Sequence, residues 1–191
     1  MHISKSAILV FLICAGHFYA TARAEGTFKE KFSYGTLHFI VEATNKGSIN
    51  QLSITPSGLT NSNEIITKEI EGSVTGARVL DIDNNGFPEV FVWFNSAGSG
   101  SYGDLVAYAV NKGKSMTEVY FPQLLEDPQN RKGYMGHDEF EIIEGSLVRR
   151  FPLYKEGDSN FKATGKMRQL QYKLVPGEGG WRLKLYKSVE F

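Results

Sequence analysis

Between Phe28 and Val189 the sequence is cut into short segments, none of them long enough for an amphipathic helix. Residues 28–34 set Phe28, Glu30, Phe32 and Tyr34 against Lys29, Lys31 and Ser33, the two-residue alternation of a strand. Gly35 then marks a turn before Leu37-His38-Phe39-Ile40-Val41. Residues 48–55 carry Ile49, Leu52 and Ile54, and Pro56-Ser57-Gly58 closes them. Residues 64–71, 74–82 and 115–121 continue the pattern, as do the apolar runs Val90-Phe91-Val92-Trp93-Phe94 and Leu105-Val106-Ala107-Tyr108-Ala109-Val110. Residues 123–136 hold no sustained period and read as a loop, with room for one helical turn at the start. Strand-like runs resume at 139–143, 146–151, 167–175 and 181–189, separated by Glu144-Gly145, a polar stretch at 154–165, and Pro176-Gly177-Glu178-Gly179-Gly180. Ten or so short strands with turns between them predict an all-β fold, an antiparallel β-sandwich or flattened barrel, built as a single domain.

The N-terminus predicts where that domain works. Lys5 precedes an apolar core, Ala7 to Gly16, and Ala22-Arg23-Ala24 has the small-x-small form of a signal-peptidase site. The core is shorter than the roughly 20 residues a helix needs to cross a bilayer. Residues 1–24 are therefore expected to be a cleaved secretory signal, residues 25–191 the mature domain, and the periplasm its compartment. Cys14 is the sole cysteine and leaves with the signal, so neither a disulfide, nor a thiol nucleophile, nor a cysteine metal site is available to the mature chain. Stability falls to an apolar core, and the length is sufficient for one.

Charge narrows the partners. The 21 Lys and Arg balance the 21 Asp and Glu, and loss of Lys5 and Arg23 leaves the mature chain slightly acidic. Such a chain lacks the basic footprint of a nucleic-acid binder. No second long apolar run follows the signal, which argues against a membrane span.

Two segments could carry function. The first is Asn95-Ser96-Ala97-Gly98-Ser99-Gly100-Ser101-Tyr102-Gly103-Asp104, a loop between the two strongest apolar runs. Three glycines and three serines make it slim, and Tyr102 is its one large side chain; a plain flexible connector has the same composition. The second is Asp81-Ile82-Asp83-Asn84-Asn85-Gly86-Phe87-Pro88-Glu89. Oxygen ligands at alternate positions before a glycine suit a hard cation, with Asp81, Asp83 and Asn85 as candidates. A hairpin turn whose Asp and Asn side chains bond nearby amides reads the same way, and is the expectation here, so neither a metal nor another cofactor is assigned.

Catalytic patterns are absent from the sequence. His38 and His137 lack triad context, Ser99 in Gly98-Ser99-Gly100 falls one residue short of G-x-S-x-G, and no carboxylate pair stands out. The chain is not expected to be an enzyme. Phe91, Trp93 and Phe94 are assigned to the core, and Arg149-Arg150 to a strand face partly open to solvent.

The acidic turn Leu80-Asp81-Ile82-Asp83-Asn84-Asn85-Gly86-Phe87-Pro88-Glu89-Val90, followed by Ser96-Ala97-Gly98-Ser99-Gly100-Ser101-Tyr102-Gly103, resembles the periplasmic inhibitors of invertebrate-type (I-type) lysozyme. The resemblance covers the middle third of the chain and rests on the family's Ser-Gly-x-Tyr motif, here Ser99-Gly100-Ser101-Tyr102. It implies a sandwich-like fold, an I-type lysozyme as protein partner, an inhibitory loop made of Gly98, Ser99, Gly100, Ser101, Tyr102 and Gly103, and room for a homodimer. Related inhibitors of c-type lysozyme carry a second motif, Tyr, three residues, then Thr-Lys-Gly. Tyr108-Ala109-Val110-Asn111-Lys112-Gly113 is one residue shorter with Asn for Thr, which argues against the c-type assignment and leaves Lys112 as a candidate second contact. From a different class, an exported carbohydrate-binding or adhesion module could use a calcium-supported turn at 81–89 with exposed aromatics such as Tyr102 or Trp181.

Overall fold

The two strongest apolar runs become β6 (Glu89–Asn95) and β7 (Gly103–Asn111), adjacent antiparallel strands buried along nearly their whole length. Burial on both faces explains why they read as continuous apolar stretches rather than as alternating ones. On one face Val90, Val92, Phe94, Val106, Tyr108 and Val110 meet a separate sheet. On the other, Phe91, Trp93, Leu105, Ala107 and Ala109 point into the interior of their own curled sheet.

The computed structural model describes residues 26–191, so the expected signal segment lies outside the described residues. A four-stranded antiparallel sheet comes first, in spatial order β1 (Phe28–Tyr34), β2 (Leu37–Ala43), β3 (Asn50–Ser57), β4 (Ile66–Ile70). Its strands alternate cleanly between buried and open positions, since only one face is covered. The second sheet has eight strands, in order β5 (Ser73–Leu80), β6, β7, β8 (Ser115–Tyr120), β12 (Gly180–Glu190), β11 (Met167–Gly177), β10 (Ser146–Pro152), β9 (Glu139–Ile143). Neighbours are antiparallel except β8 and β12, which join in parallel through two residue pairs, Val119 with Trp181 and Tyr120 with Arg182. This short seam lets two antiparallel meanders act as one sheet, which curls into a nearly closed barrel.

Closure is visible where β9 returns toward β6 and β7. Asp138, just before β9, accepts a hydrogen bond from the Gly103 amide at 2.7 Å. A Cβ on Gly103 would stand 2.5 Å from that of Asp138 and 2.9 Å from the Phe140 ring, so only glycine permits the approach. Two cores result, one between the sheets and one inside the barrel, with Phe151, Leu147, Leu170 and Leu183 fully buried in the second. The all-β, single-domain expectation holds. The 123–136 stretch, read from the sequence as a loop, opens with a single turn of 3-10 helix at residues 124–126.

Candidate functional site

The loop from Ser96 to Tyr102 caps the β6–β7 hairpin and is closed at its neck. The Ser96 amide donates to the Tyr102 carbonyl at 2.8 Å, and the Tyr102 amide donates back to the Ser96 hydroxyl at 3.0 Å. Asn95 spans the loop from below, its Nδ2 donating to the carbonyl and hydroxyl oxygens of Ser101 at 3.1 and 3.0 Å. Ser101 is held at φ +43°, a left-handed conformation costly for a residue with a side chain. Such strain persists only where surrounding bonds over-determine it, and here they do.

A second strip of chain locks the loop from the side. The His137 amide donates to the carbonyls of Gly100 and Ser101 at 2.8 and 3.2 Å. Gly136, at φ +90°, passes so close that a Cβ there would overlap the Gly100 carbonyl oxygen. Gly100 is itself buried, and a Cβ on it would sit 2.5 Å from the Tyr102 ring, which therefore lies across the glycine. The ring also meets Tyr134 edge-on at 5.5 Å. The glycines thus do two things: Gly98 keeps an exposed tip slim, as composition suggests, whereas Gly100 and Gly103 accommodate close packing beneath it.

What remains open is the top. Tyr102 is 46% exposed, and among the described residues its hydroxyl makes no hydrogen bond. Ser99 is exposed as well; its oxygen accepts from Asn160 Nδ2 at 3.0 Å, leaving the hydroxyl proton free to donate. Asn160 is held in turn, its carbonyl accepting from His137 Nε2 and the Tyr154 hydroxyl at 2.9 and 3.0 Å. Phe161, the next residue in the chain, is 85% exposed.

Under the loop lies a buried ionic cluster that the sequence reading did not find. The sequence places Arg149 on a strand face partly open to solvent, yet it is 4% exposed and points into the barrel. Its Nε donates to Asp138 Oδ1 at 2.6 Å, and its Nη2 to the Gly103 carbonyl and the Tyr134 hydroxyl at 3.0 and 2.9 Å. Tyr134 donates to Asp138 Oδ2 at 2.5 Å. The rings of Phe121, Tyr134, Phe140 and Phe151 surround the guanidinium at 5.3 to 5.9 Å. Burial works against the Arg149 charge, but the charge and hydrogen bond of Asp138, with Tyr134 and Tyr172 adding, together leave the guanidinium pKa raised. Burial also raises the Tyr134 phenol, with Arg149 opposing and Asp138 adding to the rise. Arg150 behaves as expected, partly exposed and paired with Glu141 at 3.1 Å. Alternation was the available signal: Leu147, Arg149 and Phe151 share the inward parity and Arg150 does not.

At the opposite end of β6 sits the acidic turn. Its side chains bond the backbone as expected of an Asx-rich hairpin: Asp81 accepts from the amides of Asn85 and Gly86, Asp83 from Asn85, and Asn85 from Phe87. Asp81, Asp83 and Glu89 bring carboxylate oxygens within 4.8 Å of one another, so sequence neighbours 81 and 83 are joined by a residue not among the candidates. The Asn85 amide oxygen is turned to Phe87 instead. Glu89 is fully buried, with Oε2 accepting the Ile82 amide at 3.0 Å and Oε1 without a partner. Burial pushes its pKa up to about 8, the Ile82 amide opposing and the charges of Asp83 and Asp81 adding to the rise. Lys112 is exposed in the β7–β8 turn at this end, where Phe87 packs over Gly113. The length of β7, about 27 Å at ~3.3 Å per residue, separates it from Tyr102. Trp181 is half-buried and its indole donates to Asn111 Oδ1 at 3.1 Å.

Comparison of the chain with models of protein families, with characterised proteins and with solved structures returns no match.

Proposed function

We propose that the protein is a periplasmic inhibitor of I-type lysozyme and that Ser99-Gly100-Ser101-Tyr102 enters the enzyme's active-site groove. The observation that carries this is a half-exposed Tyr102 with an unbonded hydroxyl on a loop fixed at its neck, side and base. A glycosidase of this kind works with one protonated and one ionised carboxyl in a groove shaped for a sugar chain. The free protons of Ser99 and Tyr102 are donors for such carboxyls, and charge-assisted bonds are the stronger class. The Tyr102 ring adds apolar area with few rotatable bonds, the profile of an interface anchor. Pre-fixing the loop lowers the ordering cost of association.

The test is inhibition of I-type lysozyme by the purified mature protein. Tyr102→Ala is expected to weaken inhibition about 30-fold, the equivalent of roughly 2 kcal/mol for a hot-spot truncation, while the variant still unfolds in one cooperative transition. Equal potency of Tyr102→Ala and wild type, or no inhibition by wild type, overturns the proposal. Retention on carbohydrate without lysozyme inhibition would favour the adhesion module instead.

A further inference from the structure

We propose that Asp81, Asp83 and Glu89 form a calcium site that fastens the β5–β6 hairpin at the mouth of the barrel opposite the Ser99–Tyr102 loop. Three carboxylates converge here, and their oxygens lie within 4.8 Å of one another. Two oxygens bound to one calcium at about 2.4 Å each can be up to about 4.8 Å apart, so a single ion can bridge this spread. Proximity of acidic groups would mean little by itself, because exposed carboxylates often cluster in turns.

Glu89 makes the difference. It is fully buried, yet Oε1 has no hydrogen-bond partner, and one carboxylate oxygen of this residue belongs to the cluster. A buried polar atom without a partner is costly, and native structures seldom leave one unexplained. None of the ion pairs among the described residues involves Asp81, Asp83 or Glu89, so no Lys or Arg balances them. A divalent cation would supply both the missing partner and the missing charge. An all-oxygen set favours a hard ion, and calcium accepts the further backbone and water oxygens that a short loop provides.

The site would tie separate parts of the fold. Asp81 and Asp83 follow β5, Glu89 opens β6, and the Tyr34 hydroxyl at the end of β1 donates to Asp81 Oδ2 at 3.4 Å. Binding should therefore appear as stability, whatever the protein inhibits.

The experiment is thermal unfolding of the mature chain after treatment with chelator, followed by 5 mM CaCl2, 5 mM MgCl2, or KCl at matched ionic strength. Direct titration with calcium in a calorimeter accompanies it. An affinity near 0.1 mM, in the range of extracellular modules, gives an upward shift of about 5 °C in calcium and a stoichiometry of one. Asp83→Asn and Glu89→Gln are expected to fold and to lose the shift and the heat of binding, while Glu178→Gln, in a turn elsewhere, keeps both. Absence of a calcium shift and of a binding isotherm in the wild type overturns the site. So does a shift matched by KCl or retained by both Asp83→Asn and Glu89→Gln. Because neither readout involves lysozyme, the site stands or falls separately from the inhibitory function.

Discussion

Among the ionisable side chains buried in this barrel, Arg149 and Glu89 stand toward opposite ends of β6 and are treated in opposite ways. Arg149 stands under the Ser99–Tyr102 loop with Asp138, Tyr134 and the Gly103 carbonyl all within 3.0 Å. Glu89 stands beside two further carboxylates with one oxygen unpartnered. The first arrangement is complete within the chain, and what it completes is a rigid base for an exposed tyrosine. The second is incomplete, and its need for a cation follows from that. A buried charge is informative here because of what surrounds it: full satisfaction marks a structural support, and deficit marks a place for something from outside.

The sharpest way to break this contrast is to unbalance the satisfied end. Asp138→Ala leaves Arg149 buried without its counter-charge and the Gly103 amide without an acceptor. It should cost about 3–5 kcal/mol in denaturant unfolding, the usual penalty for orphaning half of a buried pair. Replacing both partners, Asp138→Asn with Arg149→Met, removes the charges and keeps an acceptor for Gly103. The double variant should be more stable than Asp138→Ala. If it is not, the cluster is held together by something other than its charge pairing. Next in size is Gly136→Ala, whose methyl would overlap the Gly100 carbonyl at a backbone angle that disfavours a side chain. A loss of about 1–3 kcal/mol is expected, as for other overpacked sites. If the proposed inhibitory function holds, inhibition should fall with it, because the strip that moves is the one holding the loop.

At the unsatisfied end the sign differs. In chelator, burial holds the Glu89 pKa up at about 8, so at neutral pH its carboxyl is mostly protonated and Glu89→Gln exchanges one neutral group for another; stability should change by less than about 1 kcal/mol in either direction. A loss as large as that of Asp138→Ala, measured in the same denaturant series, would show that the Glu89 carboxylate is already well partnered, and the two ends would then be alike.

The parts that the sequence made legible are those whose cause is local. Residues 28–34 alternate, and β1 has those bounds; the apolar runs at 90–94 and 105–110 sit inside the doubly buried strands; Asp81, Asn85 and Gly86 form the turn they suggest. Tyr102 stands exposed on its loop. What stayed hidden depends on distant pairing. Gly103 meets Asp138 and Arg149 across 35 and 46 residues, contacts that exist only because the eight-stranded sheet curls back on itself. The parallel β8–β12 seam involves two residue pairs and leaves no periodic trace. Composition makes the glycines a source of slimness in general, whereas Gly100 and Gly103 answer to particular neighbours that only the fold brings close.

Lys112 yields the smallest expected effect and tests the geometry of the contrast most cleanly. The resemblance to lysozyme inhibitors leaves it as a second contact, but it is carried in the turn after β7, where Asn111, at the strand's last position, pairs with Ser115 and Phe87 covers Gly113. An enzyme groove that receives Tyr102 at the other end of a nine-residue strand would have to extend about 27 Å along the molecule to reach it. Lys112→Ala should therefore change inhibition by less than about 0.5 kcal/mol, the ordinary scale for an exposed side chain outside an interface. Charge reversal, Lys112→Glu, gives a sharper reading because it would repel the carboxylates of a lysozyme groove if it lay within reach. Unchanged inhibition by both variants confines the contact to the Ser99–Tyr102 end, and a severe loss in either would mean that the partner grips both ends of β7 at once.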